Sequence, residues 1–383
     1  MIQLRGPSAP RALLVAVAFG GQSRDDASLD ELWALARSAG IEPVRRMVSR
    51  RPRPDAALCI GSGKAAEITA IIADEKIDVV IFDNPLSPVQ QRNLGRMWEV
   101  SVFDRTELIL DIFAQRAASH EGKLQVELAR IEHQMTRLVR SWSHLERQRG
   151  GIGQRGGPGE KQIELDRRML DTKARSLRER LEKLAKQRKT RRRARGRRDV
   201  FMVSLVGYTN AGKSTLFNAL TGAGALAADQ LFATLDTLTR RIRLPDGSQM
   251  ILSDTVGFVR ELPHQLVAAF RATLEETAAA DLLLHVVDCA APDRDEQIDE
   301  VERVLREIDA DQVPMITVYN KIDVAQVAPA VERDPCGTID RVWLSARTGS
   351  GLEGLVTALS ERRAQSNEPV ISTFPPPHAE AVS

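Results

Sequence analysis

A loop with two glycines, a lysine and a serine lies between a predicted strand and a predicted helix. Residues 200–206 form an apolar run typical of a buried strand, and residues 216–220 continue with helical spacing. The loop matches the pattern GxxxxGK(S/T), and its members are Gly207, Tyr208, Thr209, Asn210, Ala211, Gly212, Lys213, Ser214 and Thr215. Glycines allow backbone N–H groups to close around phosphates at a helix N-terminus. The order of strand, loop and helix therefore predicts an α/β domain with a P-loop nucleotide site.

Two later segments would select the base of the nucleotide. Asn320, Lys321, Ile322 and Asp323 follow a predicted strand at residues 315–319. The Asp323 carboxylate can accept hydrogen bonds from N1–H and the exocyclic amine of guanine, whereas adenine offers no matching pair of donors. The second segment follows a predicted strand at residues 341–344, resembles a backbone loop that contacts guanine O6, and consists of Ser345, Ala346 and Arg347. Together they favour GTP over ATP.

Two further segments would contact Mg²⁺ and the γ-phosphate. One follows the apolar run at residues 250–252 and consists of Asp254, Thr255, Val256 and Gly257. Asp254 is placed to hold Mg²⁺ through water, and the N–H of Gly257 to sense the γ-phosphate. The other follows a stretch rich in glycine and alanine, suits a mobile switch, and consists of Phe232, Ala233, Thr234, Leu235 and Asp236.

Three of these residues are predicted to be catalytic: Lys213, Thr234 and Gly257. Lys213 would neutralise the β and γ oxygens, and Ser214 would supply one Mg²⁺ hydroxyl. Thr234 is our choice for the second hydroxyl, with Thr237 as the competing candidate. Phe258 follows Gly257 where many GTPases place a water-orienting glutamine, so we expect slow hydrolysis without a partner.

The first 120 residues predict a separate, small parallel α/β domain. Short apolar runs at residues 13–17, 57–60, 79–82 and 100–103 alternate with helical patterns. The sequence Gly-Ser-Gly-Lys at residues 61–64 lacks the full phosphate-loop spacing, so we interpret it as a turn between a strand and a helix.

Residues 121–198 predict an antiparallel helical hairpin with a glycine-rich tip at residues 150–159. Apolar residues recur at alternating spacings of four and three in two seams, one from Leu124 to Leu145 and one from Ile163 to Leu184, the second interrupted by Arg167. From Lys123 to the end of this segment there are 24 Lys and Arg against nine Asp and Glu. Such a concentration of positive charge is typical of phosphate-rich partners, and a solvated helix face is the alternative.

The remaining features exclude several classes of protein. No apolar run reaches the length that spans a bilayer, and three separated cysteines show no metal-binding spacing. We expect a cytoplasmic monomer, with peripheral membrane association left open. Residues 199–365 form the predicted nucleotide-binding domain, and residues 366–383 are expected to be a disordered tail.

Taken together, the order and spacing of these segments resemble the HflX family of translation-factor-related P-loop GTPases. The resemblance implies a GTPase domain, an N-terminal α/β domain and a hairpin whose tip enters the peptidyl-transferase region of the large ribosomal subunit. It also implies GTP hydrolysis coupled to splitting stalled ribosomes under stress, with ribosomal RNA bound by the basic segment. Asn210 resembles an asparagine that ligates K⁺ in related GTPases, which makes K⁺ a second candidate ion. The alternatives are a scaffold in which the nucleotide is structural and an RNA-binding protein that acts on tRNA or another non-ribosomal partner.

Overall fold

The computed structural model describes residues 9–20, 26–148, 158–195, 200–222, 231–232, 234–260 and 277–367. Within these ranges, the side chains of residues 26–27, 138–148, 158–163, 188–195 and 367 are not described. The predicted glycine-rich tip, apart from the first residues of the helix that follows it, and almost all of the predicted tail lie outside the described residues.

The N-terminal part contains a four-stranded parallel sheet with strand order β2-β1-β3-β4. Its elements are β1 (Arg11–Phe19), α1 (Asp26–Ser38), β2 (Glu42–Arg51), α2 (Ser62–Glu75), β3 (Val79–Phe82), α3 (Pro88–Trp98), β4 (Ser101–Asp104) and α4 (Arg105–Arg116). The β1 and β3 strands are buried almost throughout, because helices cover both faces of a parallel sheet. The predicted parallel α/β fold is confirmed.

One strand prediction in this part is wrong. Residues 57–60 form a turn, in which the Asp55 carboxylate accepts hydrogen bonds from the N–H groups of Ala57 at 2.8 Å and Leu58 at 2.9 Å. Cys59 has a φ of 66°, which is incompatible with a strand. The strand that the sequence did not predict is β2 at the edge of the sheet. Its four arginines and its mixture of buried and exposed residues leave no continuous apolar run.

Two long helices, α5 (His120–Gln148) and α6 (Pro158–Arg195), pack along each other. Their buried contact is made by Leu124, Leu128, Ile131, Ala174 and Leu177. An ion pair between Lys173 and Glu127, at 2.7 Å, also joins the helices. The connection between Gln148 and Pro158 is too short to return to the start of a helix of this length, so the helices run antiparallel.

The C-terminal part contains a seven-stranded sheet with strand order β10-β11-β9-β8-β5-β7-β6. Its elements are β5 (Phe201–Val206), α7 (Lys213–Thr221), β6 (Leu238–Arg243), β7 (Gln249–Asp254), β8 (Leu282–Asp288), α8 (Arg294–Glu307), β9 (Met315–Asn320), α9 (Ile322–Ala325), β10 (Ala330–Arg333), β11 (Ile339–Trp343) and α10 (Leu352–Asn367). The two edge strands pair antiparallel and the other pairs are parallel. The loops after β5, β7, β9 and β11 therefore meet at one edge of the sheet.

The two sheets share a continuous hydrophobic cluster. Within it, Phe113 of α4 packs edge to face against Phe232, with ring centroids 4.6 Å apart. Leu235 and Phe258 are buried in the same cluster. The nucleotide-binding segments thus pack on the N-terminal part of the chain. Among the described helices, none combines the length and the hydropathy needed to cross a bilayer.

Candidate nucleotide-binding site

Two glycines allow the loop after β5 to close against its neighbours. Gly207 has a φ of 146°, and a Cβ there would lie 2.2 Å from the carbonyl oxygen of Val286. Gly212 has a φ of 95°, and its Cβ would lie 2.2 Å from Nδ2 of Asn320. A side chain at either position would displace β8 or the base-binding segment, so both glycines are sterically required.

Lys213 begins α7 and points back into the loop. Its Nζ donates hydrogen bonds to the carbonyl oxygens of Gly207 at 3.0 Å and Tyr208 at 2.7 Å. Burial lowers the pKa of Lys213 to about 8. A buried cation at a helix N-terminus forms a strong electrostatic site for the phosphates of a nucleotide.

Three oxygen-bearing side chains from different segments meet beside Lys213. The Ser214 hydroxyl lies 2.8 Å from the Thr234 hydroxyl and donates to Oδ2 of Asp254 at 2.7 Å. Thr234 donates to the same Oδ2 at 2.9 Å. Among the described residues, Oδ1 of Asp254 is buried without a hydrogen-bond partner. Hydroxyl and carboxylate oxygens are hard metal ligands, so these three side chains fit Mg²⁺.

The competing candidate, Thr237, is not part of this group. Its hydroxyl is buried and has no hydrogen-bond partner among the described residues. The structure therefore brings Thr234, and not Thr237, to Ser214 and Asp254.

The segment after β7 lies directly against the phosphate loop. A Cβ at Gly257 would lie 2.7 Å from Cγ2 of Thr209 and 2.9 Å from Nζ of Lys213. The N–H of Phe258 donates to the Gly207 carbonyl at 3.2 Å, and the Phe258 carbonyl accepts from the N–H of Thr209 at 2.7 Å. Phe258 itself is completely buried, and its ring belongs to the hydrophobic cluster.

Asn320 connects the base-binding segments to the phosphate loop. Its Nδ2 donates to the carbonyl of Ala211 at 2.9 Å, and its Oδ1 accepts from the N–H of Ala346 at 2.9 Å. Lys321 pairs with Asp288 at 2.7 Å. Asp323 is exposed at the start of the short α9 helix, where its carboxylate can reach a base.

The other two residues of the guanine-binding prediction differ in exposure. Ser345 is fully buried, and its hydroxyl accepts a hydrogen bond from the N–H of Thr348 at 3.2 Å. Arg347 is exposed. The loop shape is thus held by backbone and hydroxyl contacts, which leave its outer face open to a nucleotide.

Three residues of the predicted switch segment have side chains directed elsewhere. Phe232 and Leu235 are buried in the hydrophobic cluster, and the Asp236 carboxylate contacts the start of the helical hairpin. The fourth, Ala233, lies outside the described residues. Among the described residues of this segment, the structure brings only the Thr234 side chain to Ser214 and Asp254.

Comparisons with known proteins match most of this architecture. Three family profiles match successive parts of the chain: "GTP-binding GTPase N-terminal" at residues 26–114, "GTP-binding GTPase Middle Region" at residues 116–195 and "50S ribosome-binding GTPase" at residues 202–321. The GTPase HflX of Escherichia coli strain K12 is 53% identical over 353 residues, which cover 92% of this chain and 82% of that protein. The chain belongs to the HflX family of GTPases. It is therefore a GTP hydrolase.

Other comparisons agree with this family. The GTPase HflX of Magnetococcus marinus is 50% identical over 336 residues, covering 88% of this chain and 77% of that protein. The crystal structure of SsGBP in complex with GDP has a TM-score of 0.52 at 24% identity and covers 94% of this chain and 100% of that chain. At that identity the structural match supports the fold alone.

A polar network that no local motif indicated joins the GTPase site of this HflX-family chain to its N-terminal sheet. The Tyr208 hydroxyl donates to Glu31 of α1 at 2.6 Å and accepts from the N–H of Arg260 at 2.7 Å. Burial and the Glu31 carboxylate raise the pKa of Tyr208, so its hydroxyl keeps its proton and donates. Arg105 pairs with Glu31 at 2.7 Å and Asp83 at 2.9 Å. The phosphate loop is thus held from outside its own domain.

Proposed function

We propose that this chain binds the large ribosomal subunit, hydrolyses GTP to GDP and phosphate in response, and thereby splits or rescues stalled ribosomes under stress. Binding to the ribosome is supported mainly by the positive charge of the hairpin, which has 24 Lys and Arg against nine Asp and Glu from Lys123 to Arg198. The "50S ribosome-binding GTPase" profile matched by the GTPase domain supports the same partner.

In this proposal each residue of the site has a defined task. Lys213 and the N–H groups of the phosphate loop bind the β- and γ-phosphates. Ser214 and Thr234 would bind Mg²⁺ directly, and Asp254 would contact the ion through a water molecule. When bound, the ion neutralises charge on the phosphate oxygens. Asp323 selects guanine through its carboxylate.

Hydrolysis by the free protein is expected to be slow. Phe258 is completely buried and its backbone is paired with the phosphate loop, so it neither orients water nor moves without breaking two hydrogen bonds. The Gly257 N–H, next to Lys213, is the group we assign to sensing the γ-phosphate. Contact with the large subunit would complete the site and lower the barrier that the free protein leaves intact.

Cosedimentation with isolated large subunits tests the partner. Binding should be stronger with a nonhydrolysable GTP analogue than with GDP, and it should fall as salt concentration rises. Turnover of GTP should increase when large subunits are added, and small subunits serve as the control. Equal binding in both nucleotide states, together with equal turnover, would exclude the proposal.

Exposed basic residues of α6 allow a matched test of the charge. In the variant R175Q/R180Q/K183Q, the slope of log affinity against log salt should decrease by up to roughly three. The control variant R37Q/R92Q/R96Q removes three exposed arginines from the N-terminal part and should keep the wild-type slope. The same slope for both variants would show that the positive charge of the hairpin does not contribute specifically to binding.

We also propose K⁺ as a second ion near Asn210. Asn210 has a φ of 61°, and its exposed side chain is in the phosphate loop. A cation there would offset the charge that develops on the phosphates. Turnover should fall when Na⁺ replaces K⁺, and an unchanged rate would exclude the ion.

A further inference from the structure

The Asp236 carboxylate holds the first turn of the helical hairpin. It accepts hydrogen bonds from the N–H of Ala118 at 3.0 Å and the N–H of Ser119 at 2.8 Å, and also from the Ser119 hydroxyl. The Ser119 hydroxyl in turn accepts from the N–H of Gly122 at 2.8 Å. The Ser119 hydroxyl thus caps α5, while Asp236 holds the two residues that precede the helix and places a negative charge near its positive end.

The sequence of α5 is adapted to this contact. A Cβ at Gly122 would lie 2.5 Å from Oδ1 of Asp236 and 3.1 Å from the Ser119 hydroxyl. The glycine therefore makes room for the carboxylate at a position where most helices would have a side chain. The contact is built from both partners, although they are 117 residues apart in the sequence.

The same segment supplies Thr234 to the metal-binding group. Only Leu235 lies between Thr234 and Asp236, and Leu235 is buried. Two residues span at most about 7 Å, so Asp236 cannot move far without moving Thr234 relative to Ser214 and Asp254. On the other side of Thr234, Phe232 is fixed against Phe113, and the N–H of Leu231 donates to the Ser38 hydroxyl at 3.0 Å. Thr234 is thus held between two anchors outside the GTPase domain.

We propose that Asp236 is a positioning residue for GTP hydrolysis, which holds Thr234 at the metal by fixing the switch segment to the start of the hairpin. The inference rests on the proposed role of Thr234 as a metal ligand. It also gives the hairpin a direct mechanical connection to the site, because a change in the angle of α5 at Ser119 is transmitted through Asp236 to Thr234. A cap that only stabilised α5 would have no effect on the metal requirement of the reaction.

The variant Asp236→Asn tests this role, because the amide keeps one acceptor oxygen and loses the charge. We expect kcat to fall about tenfold and the half-saturating Mg²⁺ concentration for GTP hydrolysis to rise severalfold. GDP affinity should stay unchanged, since only the triphosphate state needs Thr234 at the metal. Ser119→Ala, a milder change in the hairpin itself, should shift the Mg²⁺ requirement in the same direction.

The matched control is Asp334→Asn. Asp334 also accepts hydrogen bonds from two backbone N–H groups, those of Cys336 at 2.9 Å and Thr338 at 2.9 Å, but in an exposed turn far from the switch segment. Its kcat and Mg²⁺ requirement should equal those of the wild type. If Asp236→Asn lowers the melting temperature as Asp334→Asn does and leaves the Mg²⁺ requirement unchanged, Asp236 is only a cap and the proposal is overturned.

A double-mutant cycle with Thr234→Ala distinguishes the positioning role of Asp236 from the proposed role of Thr234 as a metal ligand. If Asp236 acts through Thr234, adding Asp236→Asn to Thr234→Ala should reduce kcat no further. Fully additive losses would overturn the positioning role while leaving Thr234 as a ligand. Wild-type kcat and Mg²⁺ requirement in Thr234→Ala alone would instead show that the assignment of Thr234 is wrong.

Discussion

Replacing Asn320 by Asp removes one hydrogen bond from the centre of the nucleotide site and preserves the shape of the side chain. The carboxylate can still accept from the N–H of Ala346, but it cannot donate to the carbonyl of Ala211. Asn320 is 2% exposed, so the carbonyl would face a buried negative charge with no water to separate them.

The magnitude follows from the two contacts. A buried acceptor left without its donor costs about 1–3 kcal/mol, and the new charge adds to this. If about 2 kcal/mol of this is lost from the preorganisation of the phosphate loop, the affinity for nucleotide falls roughly 30-fold. The loss should be the same for GTP and GDP, because Ala211 is in the loop and the γ-phosphate is not involved.

Calorimetric titration with GTP, GDP and ATP measures this effect. Asn320→Asp should weaken GTP and GDP alike and keep the preference for guanine, since Asp323 is unchanged. Asn93→Asp, which removes an exposed amide donor to the Ala57 carbonyl, is the control and should bind as the wild type does. Wild-type affinity in Asn320→Asp would refute the role assigned to this hydrogen bond.

Two other predictions concern Phe258 and Glu107. Phe258→Gln should not raise GTP turnover. It should lower the free energy of unfolding by about 2–4 kcal/mol, because the amide would be buried in the hydrophobic cluster. Urea unfolding and a turnover assay test these two results, and faster hydrolysis with unchanged stability would contradict the buried placement of the ring. Burial and the neighbouring Asp104 raise the pKa of Glu107 to about 7, so the folded state binds the Glu107 proton more tightly than the unfolded state does. Protonated Glu107 therefore contributes stability that is complete below pH 4.5 and is lost as pH rises through 7. Glu107→Gln should flatten this decline, the exposed Glu67→Gln should not, and parallel stability curves for wild type and Glu107→Gln would exclude the shift.

The local chemistry of the site could be predicted from the sequence because each segment is contiguous. Lys213, Asp254 and Asn320 each lie at the end of a strand or within a few residues of one, and in a mostly parallel sheet those ends converge. The sequence favoured Thr234 over Thr237 but left Thr237 open, because the register of a loop depends on what holds both of its ends.

The errors in the N-terminal part have a physical cause. The pattern of residues 57–60 is apolar, but the Asp55 carboxylate forms a turn there and Cys59 adopts a left-handed backbone conformation. The β2 strand lies at the edge of the sheet, where many of its side chains are exposed, so arginines are tolerated and its sequence lacks a continuous apolar run. An apolar pattern alone therefore favours residues 57–60 as a strand over the basic segment that forms β2.

Long-range partners explain why the roles of Tyr208 and Asp236 were not evident from the motifs. Both residues lie in nucleotide-binding segments, yet Tyr208 contacts Glu31 and Asp236 contacts Ser119, both outside the GTPase domain. The two contacts hold opposite sides of the site: the first reaches the phosphate loop and the segment after Gly257, and the second reaches Thr234. A displacement of the hairpin acts on the second contact directly, whereas the first ties the loop to α1 in the N-terminal sheet. The switch segment also contacts the N-terminal part, through Phe232 on Phe113 and Leu231 on Ser38. Thr234 therefore lies between an anchor on the N-terminal part and an anchor on the hairpin, and the second is the one through which we propose that the hairpin acts on the site.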